Sequence, residues 1–280
     1  MSIKNQLKTA VLLAVLTAIL LFIGSFFGKT GFYFALIFVG IMNFISYWWS
    51  DKIVLWMYRA KQAKESEYPK LYKIVKEVSH LSGLPMPKVY VIPSEQSNAF
   101  ATGRSENHSA VAVTEGIMKS LNEEELKGVV AHEFAHIKNK DILISTIAGT
   151  IAGVISYIGN MFMWTSIFGG DDDNNGGIFG LLFLAIVTPI VASIIQLAIS
   201  RSREYLADET GAGFVRNGNH LADALEKIEK NVSANPMKMG TQATAHLFIA
   251  NPFRHASFRS FFMTHPSTAE RTRRLRAMKF

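Results

Sequence analysis

His132-Glu133-Phe134-Ala135-His136 places two imidazoles four residues apart with a carboxylate beside the first. On a helix this spacing puts both histidines on one face, a turn apart, so they can converge on one zinc ion. Glu133 then projects within reach of a water at that metal. Zinc makes such a water acidic, and the carboxylate takes its proton as the oxygen attacks a carbonyl. Two histidines do not complete a catalytic zinc site, which normally has three protein ligands and a position left for water. The candidate third ligand is Glu204, in "SRSREYLADETGA", and Asp208 shares its helix face. Asp208 can accept a hydrogen bond from the outer nitrogen of a ligand imidazole and so fix its tautomer. Asp141, just after the histidine helix, is either a partner of the same kind or a cap for the next span. The chain has no cysteine, which excludes a thiolate ligand, a disulfide framework and a cysteine nucleophile.

The elements that must position these residues are readable in part. Asn122 is a good N-cap with Glu125 three residues on, acids fill the first turn, and Lys138 and Lys140 fall near the end. This predicts a helix from Asn122 to about Asn139. "SEYPKLYKIVKEVSHLSG" sets Leu71, Val75, Val78 and Leu81 at helical spacing and stops at Gly83. "KVYVIP" and "SAVAVTEG" are short β-branched runs on either side of "NAFATG", and predict a small antiparallel sheet. Further helices are expected at "HLADALEKIEKN" and in the basic "STAERTRRLRAMKF".

Nearly half of the residues, 49%, are hydrophobic and only 18% are charged, a balance that suits an integral membrane protein. Thr9–Gly28 and Thr30–Ser50 carry no charge, and each run is long enough to cross a hydrocarbon core of about 30 Å. Basic residues flank this pair on both outer ends, at Lys4 and Lys8 and at Lys52, Arg59, Lys61 and Lys64, which places both ends in the cytoplasm. Ile142–Gly170 and Asn174–Ser200 form a second uncharged pair around three aspartates. It reads as a membrane hairpin with its tip away from the cytoplasm; the alternative is a helical hairpin buried in protein. The net charge of +7 comes from basic residues at the edges of apolar runs, so it points to topology and anionic headgroups and not to nucleic acid. If Glu204 is to meet His132 and His136, the segment between them must cross an even number of times. The expected organisation is therefore a transmembrane hairpin in 1–51, a first catalytic part in 52–141, a spanning or membrane-dipping hairpin in 142–200 and a second catalytic part in 201–280.

Taken in order, the two N-terminal spans, "NAFATG", "AHEFAHIKNKD", a hydrophobic hairpin, "SREYLAD" and "THPSTAERTRRL" resemble the membrane-embedded zinc metalloproteases of the M48 group, on its bacterial heat-shock branch. The resemblance implies a mainly α fold: two transmembrane hairpins and a gluzincin-like cytoplasmic domain with a small antiparallel sheet. It implies one Zn2+ per chain on His132, His136 and Glu204, with Glu133 as general base and His265 near the metal as a donor to the oxyanion. Asn98, Ala99 and Phe100 would lie along the cleft, where an edge strand takes a peptide as an extra strand. It implies membrane-protein substrates, a lipid bilayer as the other partner, and the bacterial inner membrane as location with both termini cytoplasmic. His80, His108, His220, His246 and His255 have no such context and receive no role.

Three other functions compete. A membrane chaperone or adaptor with a structural metal has no use for Glu133. A metal transporter would place its ligands within spans and not at their ends. A prenyl-protein processing protease of the same family is the nearest rival, although that branch usually has more spans than four.

Overall fold

The computed structural model describes residues 3–25, 28–151, 201–237, 239, 242–253 and 266–280. Two long helices open the chain, α1 (Ile3–Ser25) and α2 (Gly28–Met57), packed on each other with Asn43 Nδ2 donating to Thr17 Oγ1 at 2.9 Å. Among the described residues, α2 is the one helix that meets the length and hydropathy expected of a membrane crossing. Most of its apolar side chains, among them Phe34 and Ile37, are exposed, and only its C-terminal end enters the protein core.

There Val54, Leu55 and Tyr58 are buried against the sheet. The Tyr58 ring meets Phe248 edge-on at 4.8 Å, Phe248 meets Phe100 at 5.1 Å, and the Tyr58 hydroxyl is hydrogen-bonded to Thr244. One aromatic cluster thus joins the membrane-candidate helix, a strand and the 242–253 segment.

The sheet has four strands in the order β1-β2-β4-β3, formed by Lys61–Gln62, Lys88–Ile92, His108–Thr114 and Ala99–Ser105 respectively. It is mixed, which corrects the antiparallel expectation: β2 and β4 run parallel. "NAFATG" is not a connection between two paired strands but the strand β3. It folds back on β4 as a hairpin and takes the sheet edge, and β4 is thereby carried alongside β2 in parallel. Gly103, at φ 135°, lies where the hairpin register shifts, and a Cβ there would stand 2.2 Å from the His108 carbonyl oxygen.

Helices cover the sheet: α3 (Pro69–Ser82), the short α4 (Glu115–Ser120) and the central α5 (Glu123–Lys138). In α3 the buried face is Leu71, Ile74, Val75 and Val78, while Leu81 is exposed; Gly83 ends the helix in the left-handed region as the sequence suggested. Asn122 and Glu125 close a reciprocal capping box at the start of α5. After α5 come α6 (Ile142–Ile151), α7 (Arg201–Val215), α8 (Asn219–Ala234), a 3-10 turn at Gln242–Leu247 and α9 (Thr268–Arg276). The expected second hairpin lies outside the described residues beyond its first turns in α6.

Two glycines set how closely helices approach α5. A Cβ on Gly211 of α7 would come within 2.8 Å of the His132 backbone nitrogen, and one on Gly128 of α5 within 2.8 Å of Leu221 of α8. Without side chains at these crossings, α7 can press its Glu204 face against the histidine face of α5.

Candidate metal centre

Helix α5 is buried on nearly every side: His132 is fully buried, Glu133 is 2% exposed, and the His136 side chain is 18% exposed. The two Nε2 atoms face each other at 3.1 Å with the rings perpendicular. From α7, Glu204 sends Oε1 to 3.6 Å from His136 Nε2 and Oε2 to 3.9 Å from His132 Nε2. Bonds of about 2.0–2.1 Å in a tetrahedron separate ligand atoms by roughly 3.3–3.4 Å. The Nε2–Nε2 separation is close to that value, one donor atom from each of the three residues lies within 4.8 Å of the others, and two nitrogens with one carboxylate oxygen form a donor set that suits zinc.

Each outer imidazole nitrogen has a carboxylate beside it, hydrogen-bonded at His136 and in close ion-pair contact at His132. His132 Nδ1 is 3.0 Å from Asp208 Oδ1, and His136 Nδ1 is 3.1 Å from Asp141 Oδ2. This arrangement holds the Nε2 lone pairs toward the common point. It also settles what the sequence left open at Asp141, whose side chain partners a histidine. Burial alone would lower the His136 pKa, but the Asp141 hydrogen bond and the charge of Glu204 outweigh it and raise it to about 9. His132 moves down, chiefly by burial, against the pull of Asp208. Glu133 is pushed up to about 7 by burial, with the Glu204 charge acting in the same direction. A carboxyl near neutrality can both take and return a proton at physiological pH.

Above these groups lies a cavity of about 30 Å³, bordered by Ala101, Glu133, Arg203, His246 and Phe248. It has room for a water molecule or two. Three outward-facing backbone groups of β3 have partners among the described residues. Ala99 O accepts from Ile249 N at 3.1 Å, the Ala101 amide is hydrogen-bonded to Glu133, and Gly103 N donates to Thr146 Oγ1 at 3.3 Å.

The structure brings His132, Glu133, His136, Glu204 and Asp208 together. Asn98 and Phe100 stand nearby in other roles. Asn98 is fully buried and clips the next segment to the sheet, its Nδ2 donating to Ala250 O at 2.8 Å and its Oδ1 accepting from Ala250 N at 3.4 Å. Phe100 belongs to the aromatic cluster, and Ala99 offers its carbonyl to Ile249. His265 lies outside the described residues. His246, given no role by the sequence, is buried at the cavity wall with Nε2 3.2 Å from Ser145 O. The larger omission is Arg271 of α9. It is 2% exposed and forks onto Asp208, with Nε 2.9 Å from Oδ2 and Nη2 2.7 Å from Oδ1. Nothing in a run of basic residues marks which one turns inward, although Arg271, Thr272 and Leu275 do share one buried face.

Residues 65–279 match the sequence model of Peptidase family M48. Over 98% of its length the chain is 54% identical to a protease HtpX homolog of Thermodesulfovibrio yellowstonii, covering 98% of that protein. It is 50% identical to a protease HtpX homolog of Syntrophobacter fumaroxidans, over 98% of this chain and 99% of the relative. A protease HtpX homolog of Thermococcus sibiricus is 49% identical over 99% and 97% of the two chains. The fold is similar to the crystal structure of S. mikatae Ste24p, with a TM-score of 0.51 at 19% identity; the alignment takes in 98% of this chain and spans 66% of that one. A family match that encloses the whole metal cluster, with relatives near half identity from end to end, assigns the chain: it belongs to peptidase family M48, among the HtpX-like proteases.

Proposed function

We propose that the chain is an integral-membrane zinc endopeptidase that cuts cytoplasmic or juxtamembrane segments of misfolded membrane proteins. The observation that carries this reading is the convergence of His132, His136 and Glu204 on one point, with the buried Glu133 carboxyl beside the first histidine. When bound, zinc supplies a Lewis acid that makes water nucleophilic at neutral pH and polarises a carbonyl. Glu133 takes the proton from the attacking water and returns it to the departing amide nitrogen. His136 and His132 are held for ligation through their Nδ1 atoms by Asp141 and Asp208. His265 is proposed as the oxyanion donor on the strength of the family resemblance, and Asn98, Ala99 and Phe100 as the strand beside which a peptide lies. Two hairpins that enter and leave on the cytoplasmic side would keep His132, His136 and Glu204 in one compartment, in the bacterial inner membrane.

The test is digestion of a membrane-protein substrate in detergent by zinc-loaded wild type and Glu133→Gln, with cleavage sites mapped. Glu133→Gln is expected to retain zinc and to lower kcat by about 10²- to 10⁴-fold, the usual contribution of a general base. Cleavage at the wild-type rate by the zinc-replete variant would overturn the role of Glu133. Sites confined to the neighbourhood of a prenylated C-terminal cysteine would instead support the processing alternative.

A further inference from the structure

Arg271 is the buried charge at this centre that the proposed chemistry does not use. Its donors point in three directions. Nε and Nη2 grip both oxygens of Asp208, Nη1 donates to the Ile249 carbonyl at 3.0 Å, and the same Nη1 stands 3.6 Å from Glu204 Oε2. Nη2 also lies 3.5 Å from His132 Nε2. One guanidinium therefore borders two of the three ligand side chains while holding the partner of one of them.

We infer that Arg271 is a positioning residue of the metal centre: by locking Asp208 it fixes His132 for ligation, and its charge offsets the surplus of buried carboxylates. This rests on the reading that His132, His136 and Glu204 hold zinc. Two physical arguments support it. Asp208 Oδ1 is shared between Arg271 Nη2 at 2.7 Å and His132 Nδ1 at 3.0 Å, so freeing the carboxylate from the fork would let it turn away from the imidazole. Four carboxylates, Glu133, Asp141, Glu204 and Asp208, are buried here, more negative charge than a divalent ion can balance when all are ionised. A lysine would supply the charge but not a planar fork that reaches both Asp208 oxygens and a carbonyl at once. The Ile249 bond adds a second consequence: the residue that orients a ligand also anchors the backbone lying along β3.

The experiment titrates Zn2+ alone into the chelator-stripped, full-length protein in detergent, against a chromophoric competitor. The variants are Arg271→Lys, Arg271→Gln, Asp208→Asn and the Arg271→Gln/Asp208→Asn pair. Loss of an outer partner of this kind typically weakens metal binding by about 10- to 100-fold. Arg271→Gln and Asp208→Asn should each fall in that range, Arg271→Lys should recover part of the loss, and the pair should be no weaker than the weaker single variant, because both act through one bond. A residue that merely fastened α9 to α7 would lower the melting temperature and leave the zinc Kd of the folded protein unchanged. Wild-type zinc affinity in folded Arg271→Gln, or single effects that simply multiply in the pair, would overturn the inference. Should Arg271→Gln not fold, Arg271→Lys decides: wild-type zinc affinity there rejects the need for the fork. Failure of wild type itself to bind zinc would strike the metal reading and not the positioning role within it, so the two failures are separable.

Discussion

At the scale of single residues, His136 governs how the centre meets acid. Asp141 and Glu204 keep it protonated to about pH 9 in the metal-free protein, yet a ligand imidazole must be neutral. Zinc therefore displaces a proton, and its affinity should fall as the pH drops below about 9, by roughly tenfold per unit where one proton is exchanged. Asp141→Asn removes the hydrogen-bonded carboxylate that favours the charged ring. The dependence should then shift to lower pH, with weaker zinc binding at high pH because the ring is less firmly held; isothermal zinc titrations from pH 6 to 9 test both. An unchanged pH dependence in Asp141→Asn would reject the pairing as its cause. Glu204 was a candidate on spacing and became the third ligand through the family resemblance, whereas His132 and His136 were legible because helical spacing brings them together. Arg271 and the partnership of Asp141 were not, since each depends on a turn or on a docking angle that no local period encodes.

Among the elements, the crossing of α5 and α7 is what converts two separate sequence motifs into one centre. Its tolerance is small, since a Cβ on Gly211 would meet backbone atoms of Ala131 and His132 at 2.8–2.9 Å, and backbone cannot swing aside as a side-chain tip can. Gly211→Ala should therefore push α7 outward, destabilise the protein by about 1–3 kcal/mol as overpacked interiors do, and reduce bound zinc. Thermal unfolding and metal analysis of the purified variant would check this, and full zinc content with an unchanged melting temperature would show that the helices have room. Helices with strong caps were readable almost to the residue. The capping box of Asn122 and Glu125 is local chemistry, and α5 begins and ends within a residue of where it is expected. The sheet was half readable. Two β-branched runs are strands, but their parallel pairing depends on "NAFATG" becoming an edge strand, which alternation in six residues with a glycine does not reveal. The two-residue β1 carries no signal at all.

For the molecule as a whole, the aromatic cluster of Tyr58, Phe100 and Phe248 ties the end of α2 to the sheet and to the segment at the cavity, which Phe248 also lines. The proposed topology has a direct check, made clean by the lack of native cysteine. A cysteine at Asn174 should react with an impermeant thiol reagent on intact cells, and one at Lys230 only after lysis. Labelling of Lys230→Cys from outside would invert the orientation; protection of Asn174→Cys in folded protein would favour a hairpin that dips into the membrane.

If a peptide binds along β3 as proposed, it meets an acceptor at Ala99 that the Ile249 amide already occupies. A peptide that is to lie there as a strand must first exchange with the protein's own Ile249–Ala250 backbone, so entry is a contest between a foreign strand and a native one. On that reading, a segment whose amides are already satisfied in a fold would have nothing to offer in the exchange, whereas an unravelled segment would, and preference for damaged chains would arise before any bond is cut. Ile249→Pro removes the amide that occupies Ala99 O and weakens the native competitor. It should raise kcat/KM for an unstructured peptide by lowering KM, with kcat little changed, in steady-state assays of the zinc-loaded protein; a raised KM would mean that this backbone supports the substrate and does not stand in its place.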